Sequence, residues 1–424
     1  MAHGSRTRRH VVSSGVAAVL LGCSVATYAA LAKPYTPADD GQVVERLPAP
    51  VIAGESRQAE RRQRAALRAT PSDPALALQA AYQALERMRM SGDARELGQA
   101  RQVLAPWWRA AQLPPAVRLA RAIVLQAGHD FEASLVDLDA LSTPQAAVPL
   151  ALSAQATLTR ASVLQVQGRW AEARRVCDTL NGPAFAPLAS RIAPQVAICL
   201  TELDSLQGQA PAAQRRLEQM AREAGPSATW LSLVRAELAH RQHDPRAGEL
   251  YRQALAGRSD VYTLAAYADW LLEQKRPEQV VQLLADTRQA DALRLRRSMA
   301  LQRMKDPRAA AEIAALADTM DTNLARGDLS HAREMALFTL HLRPDPAAAL
   351  SWAQRNWAVQ REPIDAWLLL QAAEAAGQTA AAQPVVDFAQ AQGWQDPRIE
   401  AARQARPSSK LSASAQPVRG GAQP

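Results

Sequence analysis

Ala213, Ala247 and Val280 occupy one equivalent position in three successive apolar helical patterns, 34 and then 33 residues apart. A period near 34 specifies stacked helix-turn-helix units, because each unit leaves an apolar face that only its neighbours can cover. The best-phased unit begins at Tyr262, places Leu264, Tyr267, Ala268 and Leu271 on one face, turns at Arg276 to Glu278, and resumes an apolar stripe at Val280. Asp244 to Ala247 opens a second helix carrying Leu250, Tyr251 and Ala254, and the same start recurs at Asp306 to Ala309. Proline is tolerated in a first helical turn, where its missing N–H has no intrahelical partner to lose. Pro211, Pro245, Pro277 and Pro307 mark such starts at intervals of 34, 32 and 30 residues.

The same logic divides the chain into hairpins at 74–111, 114–141, 145–180, 186–223, 226–256, 259–287, 290–326, 328–360 and 363–392. Ala161, Leu164, Gly168, Trp170 and Ala173 set a small residue in a first helix, then a glycine turn, then an aromatic and an alanine in a second. Ala122, Leu125, Phe131 and Ser134 repeat the scheme, and Gly327, Leu329, Ala332, Ala336 and Pro344 read as a second helix with its closing proline. In these positions the chain resembles the tetratricopeptide repeat family. The spacing is degenerate: Ala309 to Ala332 is only 23 residues, and Ala173 to Ala213 stretches to 40.

The resemblance implies an all-α, right-handed superhelical solenoid of antiparallel helix pairs, with eight to nine hairpins filling residues 55–405. It also implies a concave groove lined by first-helix side chains in which extended or helical peptides lie. Carried onto this chain, the groove positions are Gln195, Glu202, Glu237, Tyr262, Asp269 and Glu273. They would form an acidic-to-polar strip suited to a basic or polar peptide, on an open surface without a catalytic cleft.

The formal charge of +8 raises a nucleic-acid reading, which its distribution removes. Arg6, Arg8, Arg9, Arg403, Arg406, Lys410 and Arg419 lie in two terminal stretches that hold no acid, so the repeat body carries about +1. A nearly neutral body is no phosphate-binding surface. The remaining arginines read as a solvated, salt-bridged exterior.

Residues 1–32 join a basic start to an uncharged, mostly apolar run from Val11 to Ala32, ending in Ala30-Leu31-Ala32 before Lys33. This is an export signal or a membrane anchor. Three fates stay open: cleavage after Ala32, lipidation at Cys23 in a stretch resembling a bacterial lipobox, and retention of residues 11–32 as a span. Each places the repeats outside the cytoplasm, in the periplasm or beyond. Residues 33–54 form a proline-containing linker, and residues 406–424 have the composition of a disordered tail. Cys177 and Cys199 then sit in an oxidising compartment, either as a disulfide or as two buried thiols.

No phosphate loop, dinucleotide glycine pattern, nucleophile elbow, zinc-protease helix or cysteine knuckle occurs in the sequence. No cofactor is called for. His240 and His243 are the one close histidine pair, and Asp137, Asp139, Asp318 and Asp321 lie beside arginines as ion pairs. The expectation is a non-enzymatic scaffold of the bacterial cell envelope that binds a partner protein or peptide. The rival readings are a helical-toroid enzyme acting on cell-wall or polysaccharide substrate, which needs two facing carboxylates, and a metal-related accessory protein using the histidine pair.

Overall fold

A computed structural model describes residues 54–404 apart from 111, 143–147, 226–228, 258, 286–289 and 328–330, together with residues 39, 41 and 42. The terminal stretches carrying Cys23 and the export or anchor segment lie outside the described residues. Among the described residues every regular element is a helix.

Helix α1 (Gly54–Ala69) precedes a series of antiparallel pairs. The first three are α2 (Pro74–Ser91) with α3 (Ala94–Val103), α4 (Pro115–Ala127) with α5 (Phe131–Ser142), and α6 (Leu150–Val166) with α7 (Trp170–Thr179). Then come α8 (Ala189–Leu206) with α9 (Ala210–Ala224), α10 (Thr229–Arg241) with α11 (Ala247–Gly257), and α12 (Val261–Glu273) with α13 (Pro277–Leu283). The last three are α14 (Asp291–Arg303) with α15 (Ala309–Ala325), α16 (Ala332–His341) with α17 (Pro346–Val359), and α18 (Pro363–Ala375) with α19 (Gln383–Gln392), followed by α20 (Pro397–Gln404).

Local chemistry sets these boundaries. Asp73 accepts from the N–H groups of Ala75 and Leu76 ahead of Pro74, and Asp260 accepts from Thr263 N at 2.8 Å. Each satisfies donors that a helix start would otherwise leave bare. Between paired helices, α16 and α17 excepted, the chain turns through one left-handed residue: Gly92, His129, Gly168, Gly208, His243, Lys275, Lys305 or Gly377. Most of these turns share a bond from the residue after the left-handed one back to a carbonyl five positions earlier. Asp130 N to Leu125 O (2.9 Å), Arg169 N to Leu164 O (2.8 Å) and Arg276 N to Leu271 O (2.9 Å) are examples.

Most first helices touch the next first helix, as α2 does α4 and α12 does α14, whereas second helices pack chiefly on first helices of their own and the following pair. The first helices therefore form a continuous inner wall. Ala213, Ala247 and Val280, at most 2 % exposed, seal the contact between each second helix and its neighbours. Two sequence expectations change. The segment from Gly327 to Pro344 holds a first helix, α16, which contacts α14 and α18; the 23-residue gap arises because Ala309 and Ala332 belong to helices of different kind. Pro245 and Pro307 sit in the turns before α11 and α15 rather than within them.

The larger correction concerns the open concave surface, for the coil returns onto itself. Helix α2 touches α12, and a side chain at Gly92 would meet Ala290 and Val261. Farther along, Arg361 N donates to Val166 O (2.7 Å), Gln395 N to Leu206 O (3.0 Å), and Gln207 Nε2 to Gln392 O (3.0 Å). Trp170, 1 % exposed, is the hub of this seam: its ring lies 5.2 Å from Phe388 and 5.4 Å from Trp394, both edge-on, and Trp357 stands 5.4 Å from Phe388. Edge-on aromatic packing of this kind adds about 0.5–1.5 kcal/mol per pair to the burial itself. One apolar cluster consequently runs from Ala77 to Ile399.

Candidate functional site

Closure of the coil shapes a half-open cavity of about 1180 Å³. Seven arginines and seven carboxylates line it, contributed by inner helices from α2 to α16, by α3 and α20, and by the turns before α12 and α18. The arginines expected on a solvated exterior thus include Arg241, Arg296, Arg333, Arg361 and Arg398 inside, and the cleft that the sequence reading excluded is present.

Most of the wall is internally paired. Arg296, only 4 % exposed, grips Asp269 with two bonds of 2.9 and 2.7 Å and donates a third to Ala292 O. Arg333 grips Asp365 at 2.7 and 2.9 Å and also reaches Glu362, while Asn356 Nδ2 donates to the same Asp365 at 2.6 Å. Burial lowers the Arg333 pKa, but Asp365 and Glu362 overcome it and hold the guanidinium well above its ordinary value. His240 bonds Glu273 Oε2 (2.8 Å) and Tyr251 Oη (3.1 Å), and Arg398 stands 3.6 Å from the other Glu273 oxygen. Two-point arginine–carboxylate contacts of this kind fix orientation as well as charge.

Glu237 and Glu202 differ from that pattern. Tyr262 Oη donates to Glu237 Oε1 at 2.7 Å, and among the described residues no arginine, lysine or histidine pairs with either glutamate within 4.0 Å. Burial pushes the Glu237 carboxyl up to about 7, helped by the charges of Glu202 and Glu362 and opposed by the Tyr262 hydroxyl and Arg241. Burial likewise raises Glu202. Removing a carboxylate from bulk water favours its neutral form, and a second carboxylate nearby adds to the effect. Tyr262 is held well above its ordinary pKa, first by the charge of Glu237 and then by burial. Its side chain nevertheless keeps 52 % of its surface accessible, because the ring faces the cavity rather than packed neighbours.

Of the groove positions carried over from the family, Glu202, Glu237, Tyr262, Asp269 and Glu273 line the cavity. Gln195 does not: it lies two turns nearer the start of α8, exposed outside the cavity. The sequence reading missed the arginines, Glu334, Glu362 and His129, all of them on the cavity wall. Their inner-helix register was the available signal. His240 is engaged by Tyr251 and Glu273 while His243 forms a left-handed turn, and among the described residues no cluster of three or more histidine, cysteine or acidic side chains could hold a metal.

Asp137 receives Arg118 and Arg121, Asp139 pairs with Arg160, and Asp321 pairs with Arg343. Cys177 on α7 and Cys199 on α8 are joined by a disulfide, with Cα atoms 6.5 Å apart. The stretch Pro183–Leu206 is long and apolar enough to cross a membrane by length and composition, but α8 within it is a wall helix packed against α6, α7 and α9.

No protein-family model and no curated protein sequence matches the chain. Among solved structures, the crystal structure of the P58(IPK) TPR domain is similar at 16 % identity, over 76 % of this chain and 96 % of that one, with a TM-score of 0.21.

Proposed function

We propose that this chain is an exported scaffold of the bacterial cell envelope that holds a segment of a partner protein inside its coil. The observation that carries the reading is the preformed, charge-lined cavity, whose wall is fixed by internal ion pairs before any ligand arrives. Preorganisation of this sort lowers the ordering cost of binding. At about 1180 Å³ the space is at the upper end of small-ligand pockets, large enough for a few residues of an extended segment. The apolar run of residues 11–32, the small-residue motif at Ala30 and Ala32, and the Cys177–Cys199 bond support an exported, oxidising location. Membrane attachment through that run or through Cys23 belongs to the same proposal.

The test is a photo-crosslinking residue placed at Tyr262, inside the cavity, or at Val136, 69 % exposed on an outer helix. The proposal expects an envelope protein to be captured from position 262 and not from 136. Capture from 136 alone, or from neither, contradicts it.

A second reading rests on Glu237. A carboxyl with a pKa of about 7 next to another carboxylate in a cavity has the properties of a general acid or base. The enzyme reading requires turnover of purified peptidoglycan or polysaccharide that Glu237→Gln abolishes while the fold persists.

A further inference from the structure

We infer that the cavity recognises its ligand through an organic cation, an arginine or lysine side chain, seated between Glu202, Glu237 and the uncovered face of Tyr262. The inference rests on the reading that the cavity holds a partner segment, and it specifies the chemistry of that segment.

The wall falls into two classes of carboxylate. Asp269, Glu273 and Glu362 each have an arginine or histidine within ion-pair distance. Glu202, Glu237 and Glu334 line the same space, each partly buried, and among the described residues none has one. Burial acts to raise the Glu334 carboxyl, but the charges of neighbouring Arg333, of Arg296 and of His331, with its own backbone N–H, hold it below its ordinary value. Partly buried carboxylates facing a half-open cavity without a cation are costly unless something else completes them.

Tyr262 supplies an independent sign of a ligand. An aromatic ring in the interior of a coil is expected to be covered, yet half of this one is open to the cavity, with its hydroxyl already committed to Glu237. A ring face flanked by carboxylates is the environment that attracts a guanidinium or ammonium group, through the ring quadrupole as well as the charges. Arg241, on the same inner helix as Glu237, acts on Glu202 and Glu237 by charge alone and donates its hydrogen bond to Ser205 Oγ at 2.8 Å.

Charge around the site determines the pH response. Glu237 is faced by Glu202 from α8, Arg241 from its own helix, Tyr262 from α12 and Glu362 at the start of α18. A cation binds the ionised form and drives off the proton that burial retains, so affinity rises with pH through the neutral range.

The experiment is calorimetry of the full chain with N-acetyl-Gly-Arg-Gly-amide and its Gly-Gln-Gly counterpart at pH 6 and pH 8. The expected result is measurable binding of the arginine peptide only, strengthening by about tenfold between the two pH values as one proton is released. Glu237→Gln should remove most of that pH dependence and weaken binding by about tenfold, and Glu202→Gln should weaken it as well. Thermal melts of both isosteric variants confirm that they fold. Equal binding of the two peptides, or no binding of the arginine peptide to the unaltered chain, overturns the inference. Partner capture from position 262 that both variants leave unchanged also overturns it while leaving the scaffold reading intact. Peptide binding without any partner capture does the reverse.

Discussion

The turns at His129 and Gly168 have the same backbone shape and opposite roles. Each places one residue in the left-handed region, φ 59° and 76°, and each closes with the same five-residue bond. At His129 the side chain remains in the wall of the coil, packed edge-on to Phe131, where burial lowers its pKa. At Gly168 there is no side chain, and Phe388 fills the space so closely that a Cβ would lie 2.7 Å from its ring. Gly208 receives Gln395 in the same way. Backbone geometry makes the repeat; the absence of a side chain at chosen turns lets the coil close. Wall and seam are thus built from one motif and distinguished by a single atom.

The largest test of that distinction is Trp170→Ala. Loss of the seam's hub should destabilise the fold by about 3–5 kcal/mol in denaturant unfolding and open the coil, whereas a wall substitution of equal cost should leave it closed. Cys177→Ser is the matching wall experiment: removing a cross-link that closes 22 residues should cost about 3 kcal/mol without altering the seam. Smaller still is the turn comparison. Gly168→Ala should cost about 2 kcal/mol, through left-handed strain and overlap with Phe388, while Lys275→Gly, at a turn of the wall, should stay within about 0.5 kcal/mol of the unaltered chain. If the two turn substitutions cost the same, the seam has no special geometry.

The smallest effect concerns pH. Glu237 keeps its proton to about 7 in the folded chain and to about 4.5 in the unfolded one, so the folded state binds more protons between those values. Stability should fall as pH rises across that window, by about 1 kcal/mol per unit or less because water reaches the cavity, and level off above it. Glu237→Gln should flatten the slope in melts run from pH 4.5 to pH 8.

The wall was legible in the sequence because its contacts are local. Ala213, Ala247 and Val280 repeat at the period of the hairpin, and Glu202, Glu237, Tyr262, Asp269 and Glu273 come from carrying the family's first-helix groove positions onto this chain. The seam was not. Trp170 meets Phe388 and Trp394 across more than two hundred residues of chain, with no local pattern to tie them. Without the seam there is no cavity, so Arg296 and Arg333 read as solvated helix faces although they line its wall. The left-handed turns were hidden for a different reason: His129, His243, Lys275 and Lys305 adopt a conformation usually marked by glycine.

The central claim is that the solenoid closes. Spin labels at Gln209 and Ala391, both exposed beside the seam, in a chain carrying Cys23→Ser, measure it directly by pulsed electron resonance. A single short distance that lengthens and broadens in Trp170→Ala is the predicted result. A broad, long distribution in the unaltered chain would mean an open coil and no shared cavity.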